Sequence, residues 1–303
     1  MKKLFCAVTC LLILCGLRTG ALAAVGDVRG DILETDIVTE FCGFPIPAFA
    51  IDGKTLIAAE DLGGYGYHVV YHADTRCLFV TYDQEPAAET VLQLPIAADP
   101  KQPGRVLGQY YESDIDVFVN GRYTQSYALD GKMAICVEDI CQVWPGDSGG
   151  YWNNNRYGVS VYGMNYRYDD TQRKLSFWNG FDQLPPKAEQ EAETLASVEE
   201  SLGGLLSWTY NIYNGENMDL MEIEVTGTPH GSNCYYILFR NDNIPMEVGD
   251  IFRRYGITNI WGSRAAALEG ISDNTLIYST RNAEAGTESC FSLSLEDFRL
   301  QYL

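Results

Sequence analysis

Apolar and polar positions alternate in short runs along most of this chain, the period expected of half-buried strands. Residues 36–41 read as a strand, and Ile115, Val117 and Val119 repeat the pattern further on. Asn120-Gly121 closes the second of these with a two-residue turn, and Gly43 holds the matching place in the first. The next strand ends at Asp52-Gly53 or Asp130-Gly131, hairpin turns in which glycine supplies the positive φ. Residues 56–62 are helix formers stopped by Gly63-Gly64, which predicts a short helix with a glycine C-cap. Two strands, 67–71 and 77–81, flank a turn at His72-Ala73-Asp74-Thr75. Residues 187–205 show helical spacing at Ala192, Leu195, Val198 and Leu202. Beyond them, 221–225, 234–239, 275–278 and 290–295 read as strands and 245–255 as a helix.

The strand pattern occurs twice because the text does. Residues 26–62 match residues 104–140 without gaps at 14 of 37 positions, including Asp52-Gly53-Lys54 with Asp130-Gly131-Lys132 and Glu60-Asp61 with Glu138-Asp139. Tyr65-Gly66, Tyr71, Arg76 and Leu78 then reappear as Tyr162-Gly163, Tyr168, Arg173 and Leu175, now 97 positions away instead of 78. The second copy therefore carries an insertion, at 142–161. A period of this kind has to be settled before any motif is interpreted.

The organisation that follows is a leader at 1–23, repeat one at 26–83, a proline-bearing linker at 84–103, repeat two at 104–180, a linker and helix at 181–205, and a β-rich unit at 206–303. The expected fold class is α+β: two repeats of a small antiparallel sheet packed on one short helix, then a separate β-rich C-terminal unit.

Met1-Lys2-Lys3, the apolar run 4–17 and Ala21-Leu22-Ala23 make a secretory signal peptide with a small-residue cleavage site. The run is shorter than a bilayer span and Arg18 closes it, so no membrane span is expected after its removal. The expected location is secreted or cell-surface associated. The full chain has a net charge of −20, and loss of Lys2, Lys3 and Arg18 takes it to −23. Such a surface repels nucleic acid. Six cysteines remain beyond the leader, and Cys42–Cys77 is the one disulfide pairing expected among them.

The repeats resemble the small module first described at the N-terminus of some copper amine oxidases, found as tandem copies in exported proteins of Gram-positive bacteria. Gly53-Lys54, Glu60-Asp61-Leu62 and Tyr65-Gly66 carry the resemblance in the first copy. Gly131-Lys132, Glu138-Asp139-Ile140 and Tyr162-Gly163 carry it in the second. The resemblance covers about 30–83 and 108–178, and it implies a non-catalytic binding or stalk-like module. It does not imply copper, because the metal and redox cofactor of the oxidases belong to a different domain.

Gly146-Asp147-Ser148-Gly149-Gly150 matches the nucleophile signature of chymotrypsin-like serine proteases. Its context does not. It lies in an insertion that repeat one lacks, Trp144 stands where the family places a cysteine, and only His68 and His72 lie upstream. A glycine-rich turn accounts for the string. His68 and His72 could share a strand face, but two histidines without a third ligand do not define a metal site. His230, between Pro229 and Gly231, reads as a loop residue. Glu60-Asp61 and Glu138-Asp139 are adjacent pairs, which diverge by about 100° on a helix, and a structural role fits them. The aromatics around the insertion are the better binding candidate: Tyr151, Trp152, Tyr157 and Tyr162, with asparagine neighbours, suit sugar stacking or protein recognition.

The sequence thus points to a secreted, non-enzymatic protein that binds a cell-surface or extracellular ligand, glycan or protein, with no cofactor and no metal. The alternative is an exported hydrolase using Ser148.

Overall fold

A computed structural model of the chain describes residues 24–83, 102–141, 164–179, 186–202, 204, 206–228, 231–241, 243–282 and 286–303. Seven strands fall in the first copy: β1 (Val28–Leu33), β2 (Val38–Phe41), β3 (Phe44–Pro45), β4 (Phe49–Ile51), β5 (Lys54–Ala58), β6 (Tyr67–His72) and β7 (Cys77–Tyr82). Seven follow in the second: β8 (Val106–Tyr111), β9 (Asp116–Val119), β10 (Arg122–Thr124), β11 (Ser126–Leu129), β12 (Lys132–Cys136), β13 (Met164–Asp169) and β14 (Lys174–Asn179).

Turn chemistry sets the local register. Cys42-Gly43, Asp52-Gly53, Asn120-Gly121 and Asp130-Gly131 all place two successive residues at positive φ, the conformation that matches strand twist in a tight hairpin. The expected helix is much smaller than a sheet-covering element. It is a single 3-10 segment, Ala59–Tyr65, that runs through Gly63-Gly64 and is capped by Gly66 at φ 87°. Its counterpart α1 (Val137–Ile140) is one turn long.

The pairing corrects the expected fold. Neither copy closes a sheet of its own. A six-stranded barrel closes in the order β1-β4-β5-β12-β11-β8, three strands from each copy. The two remaining sheets are exchanged: β10-β9-β7-β6 joins the β6–β7 hairpin of the first copy to β9 and β10 of the second, and β13-β14-β2-β3 does the converse. The joints are parallel, β7 on β9 and β14 on β2. Strands account for 55% of the described residues and helices for 14%, so the fold is β-rich and not α+β. The physical reason is coverage. A helix of one or two turns cannot bury one face of a sheet, so the barrel of both copies does it instead.

An approximate two-fold axis relates the copies. Ile57 faces Ile135 across β5 and β12, 78 positions apart, and Asp31 faces Gln109 across β1 and β8 with the same offset. Polar contacts repeat across it. Arg173 binds Asp36 at 2.6 Å and Tyr168, while Arg76 binds Asp114 and Tyr71. Lys132 meets Asp61 at 2.5 Å, and Lys54 meets Asp139 at 3.4 Å.

Two cores result. Ile32, Ile51, Leu56, Tyr110, Ala134 and Cys136 fill the barrel. A second core, including Phe41, Ile57, Leu62, Val80, Val119, Ile135 and Phe177, lies between the barrel and the exchanged sheets.

The C-terminal region begins with helix α2 (Lys187–Leu202). Two antiparallel meanders follow. The first is β15 (Ser207–Asn214), β16 (Met218–Thr228), β17 (Gly231–Arg240) and β18 (Met246–Glu247); the second is β19 (Ala267–Ser272), β20 (Thr275–Asn282), β21 (Thr287–Ser294) and β22 (Leu300–Tyr302). Helix α3 (Gly249–Arg254) lies between them in sequence. Val198 and Leu202 of α2 pack on Met221, Ile223, Tyr235 and Phe239 of the first meander.

This region is not a separate body. One core cluster contains Cys77, Phe79 and Phe118 of the repeats together with Leu238, Phe252, Tyr278, Leu293 and Phe298. Arg254 binds Asp116 at 2.6 Å and donates to the Thr75 carbonyl. The Tyr123 amide donates to Asp250, and Asn243 donates to the Tyr82 carbonyl.

Gly121 marks how close the approach is. A Cβ there would lie 2.3 Å from the Glu247 carbonyl oxygen and 2.7 Å from Met246 Cγ, whereas one on the equivalent Gly43 would meet nothing within 4 Å. Both have nearly the same positive φ, 83° and 85°. Gly121→Ala is therefore expected to destabilise the chain by about 1–3 kcal/mol more than Gly43→Ala, the cost of overpacking on top of a shared backbone strain. Urea unfolding of the two variants measures the difference.

Candidate functional site

The approximate symmetry gives two equivalent outer sheet faces, and their side chains differ. On β10-β9-β7-β6 the outer face presents Cys77, Phe79 and Phe118, all buried beneath the C-terminal region. At the equivalent positions β13-β14-β2-β3 carries Lys174, Ser176 and Glu40. Lys174 and Glu40 form an ion pair at 2.6 Å. Thr81, buried on the first sheet, is replaced by Trp178, which is 37% exposed on the second. The C-terminal region thus covers the face that carries Cys77, Phe79 and Phe118, with Asp116 held by Arg254, and the other faces solvent with Trp178, Ser176, Arg167, Val38 and the ion pair on it.

Alternation places these groups. Leu175 and Phe177 of β14 point into the core at 1% and 0% exposure, so Ser176 and Trp178 must point out. Arg167 lies opposite Ser176 across the β13–β14 ladder and shares its face. Tyr166, Tyr168 and Phe44 add exposed aromatic surface along this sheet's edges. Asn165 is the register partner of Trp178, so Trp178 lies one strand from the point where the chain leaves its insertion and enters β13.

The binding residues named from sequence, Tyr151, Trp152, Tyr157 and Tyr162, lie outside the described residues, as do Ser148 and His230. The anchor points of the insertion are inside them: Cys141 and Met164 are both buried.

The other candidates resolve into structural roles. Asp61 and Asp139 hold the lysines of the opposite copy, and Glu60 accepts the Met133 amide at 3.0 Å with both oxygens. Burial raises the Glu60 carboxyl above the ordinary carboxylate range. His68 is exposed, whereas His72 is buried with its ring edge-on to Phe79 and its Nε2 3.9 Å from Asp297. The two histidines are therefore not a pair. Among the described residues, no group of three or more His, Cys, Asp or Glu side chains is placed to hold a metal ion.

The expected Cys42–Cys77 disulfide is not formed; both thiols are free. Cys42 sits exposed at the β2–β3 turn, while Cys77 begins β7 on the other exchanged sheet, buried with its Sγ directed to the Thr75 carbonyl. Strand exchange is what separates them. Burial pushes the Cys77 thiol up, which keeps it protonated at neutral pH.

No family model, curated protein or solved structure matches this chain. None of the comparisons identifies the amine-oxidase module, and function must be argued from the site itself.

A cleft of about 530 Å³ between the β6–β7 hairpin and the C-terminal region is lined by His68, Asp83, Arg240, Glu296 and Asp297 among others. Arg240 acts there as a clamp. It donates to the Leu295 and Glu296 carbonyls at 2.7 and 3.2 Å, and its guanidinium lies over the Phe298 ring. Burial pulls it down to about 10, so it stays charged at neutral pH. Its partners are the loop that carries Phe298 into the shared core, which makes the cleft a joint between parts.

Trp178 could have been found from sequence. Aligning 77–82 with 174–179 sets Phe79 against Ser176 and Thr81 against Trp178, a swap of apolar and polar positions on one strand face. Conserved spacing with inverted side-chain character signals two different environments.

Proposed function

We propose that this is an exported, non-enzymatic binding protein whose ligand docks on the open outer face of β13-β14-β2-β3. The observation that carries the reading is Trp178, a half-exposed indole on the sheet surface whose symmetry mate is occupied by the protein's own C-terminal region. Ser176 and Arg167 share the face with the ring, and farther along it lie the Lys174–Glu40 ion pair and the exposed Val38. An aromatic platform flanked by hydrogen-bond donors suits a saccharide or a peptide backbone. Tyr151, Trp152, Tyr157 and Tyr162 precede β13 in sequence and lie outside the described residues. The barrel and its cap then serve as a rigid mount, and the resemblance to a non-catalytic exported module agrees with that role.

Pull-down on immobilised cell-wall glycans and on extracellular protein extracts tests the reading. Trp178→Ala is expected to weaken retention by at least about tenfold, the loss typical of an aromatic anchor worth 1.4 kcal/mol or more. Tyr302→Ala, which removes a 72% exposed ring on the far C-terminal strand, is expected to leave it unchanged. Equal retention of the two variants would discard the open face as the binding site.

A further inference from the structure

Strand β15 is the longest sheet edge among the described residues, at eight residues, and it pairs only with β16. Its outer row of backbone N–H and C=O groups is open to another strand. Natural edge strands are blunted by shortness, charge, proline or bulges. Of the other edges among the described residues, all but β6, six residues with no acidic or basic group beyond its two histidines, no proline and no bulge, show those devices. β3 and β18 are two residues long, β3 with Pro45; β10 and β22 are three long. β13 carries Arg167 and Asp169, and β19 carries Glu269 and a bulge at Gly270. β15 has none of them. Its text, Ser-Trp-Thr-Tyr-Asn-Ile-Tyr-Asn, contains no charge, proline or glycine, and its ladder to β16 runs in unbroken register from Ser207–Thr226 to Asn214–Asp219.

We infer that β15 is a self-association edge, at which a second copy of this chain adds its own β15 antiparallel to give a continuous eight-stranded sheet. Two properties select a second copy over another partner. The first is charge. In a chain of net charge −20, an eight-residue edge without a single charged side chain is the place where another equally acidic chain meets least repulsion. The second is self-complementarity. A two-fold axis perpendicular to the sheet at Tyr210 sets Tyr210 against its own copy, Trp208 against Ile212 and Thr209 against Asn211. Apolar then meets apolar on the α2 face; on the other, Thr209 meets Asn211 and Tyr213 meets Ser207. Residues directly opposite in an antiparallel pair share a face, so this register is sterically consistent. Trp208 and Ile212 already pack against the core beneath α2, and Tyr210 stands 47% exposed beside the Trp208 ring.

The acidic α2 helices do not oppose the arrangement. Each packs on β16 and β17 of its own copy, with Glu199 reaching over to accept from Trp208 Nε1 at 3.0 Å, and the two helix axes lie about four strand spacings apart, roughly 20 Å at ~4.8 Å per strand. That exceeds the screening length of about 8 Å at physiological ionic strength.

Sedimentation equilibrium of the full chain is the experiment, over a concentration series at low and physiological salt. The expected result is a reversible dimer that tightens as salt screens the like-charged bodies. Tyr210→Lys is expected to weaken it on the order of a hundredfold, the scale of a like-charge pair set face to face in an interface, and Tyr210→Glu to do the same. Mixing these two variants is expected to restore association, because residue 210 then meets its opposite charge. A wild-type chain that stays monomeric throughout the series would overturn the inference. So would variants that dimerise like the wild type, or a mixture no tighter than either variant alone. Thermal unfolding of the variants confirms that the exposed position tolerates the change.

Discussion

Residues 24–83, produced on their own, are expected to show no cooperative unfolding transition in urea and no stable β-sheet signal by circular dichroism. Within this copy the strands make three fragments that do not pair with one another: β1-β4-β5, the β2–β3 hairpin and the β6–β7 hairpin. Each needs the other copy to become part of a sheet. β1 and β5 are completed by β8 and β12, β7 by β9, and β2 by β14. An isolated two-stranded hairpin is marginal in water, and a chain of this size has little core to spare. The cores make the same point. The barrel core mixes Ile32, Ile51 and Leu56 with Tyr110, Ala134 and Cys136, so removing one copy exposes the apolar side chains of the other. A self-contained sheet-on-helix repeat would instead melt as a unit, and a sigmoidal transition from the monomeric fragment is the outcome that contradicts exchange.

Much of the local structure is written in the chain. The Asp52-Gly53 and Asp130-Gly131 turns, the strand at 290–295 that becomes β21, and the helix at 187–205 that becomes α2 all follow from short-range chemistry: glycine at positive φ, period-two alternation and 3.6-residue spacing. Partner choice is different. Val80 pairs with Val119 in parallel across 39 residues, and Phe177 with Phe41 across more than a hundred. Neither strand carries a mark that distinguishes its own copy from the other, because the copies are similar. One hint was available. Cys77-Leu78-Phe79-Val80 is a continuous apolar run, the composition of a strand buried on both faces, and all four residues are buried. A two-sided strand cannot belong to a small sheet with one helix on one side. The open face around Trp178 was missed for a related reason. It becomes visible only when the two copies are compared for which side of the strand is apolar, once their common spacing is known.

That inversion also sets the largest expected effect of a single substitution. Phe79→Ala is expected to cost about 3–5 kcal/mol in urea unfolding, as for other fully buried phenylalanines. Ser176→Ala, at the equivalent position on the open sheet, is expected to stay within about 0.5 kcal/mol. Phe79 is 2% exposed and stands where the two parts of the chain meet: stacked on Phe118 at 5.3 Å, tilted against Phe298 at 5.2 Å and edge-on to His72 at 5.5 Å. Truncation would leave a cavity bounded by β7, β9 and the C-terminal loop, and little can collapse into it because Arg240 pins that loop through the Leu295 and Glu296 carbonyls. A double-mutant cycle with Phe298→Ala is expected to return a coupling of about 0.5–1.5 kcal/mol, the usual value for an aromatic pair in contact. Because Phe298 belongs to the C-terminal region and Phe79 to the repeats, that coupling measures how far the cap and the exchanged sheet act as one body. A coupling of zero would mean that the C-terminal region rests on the sheet without contributing to its stability, and the contrast between covered and open faces would lose its energetic basis.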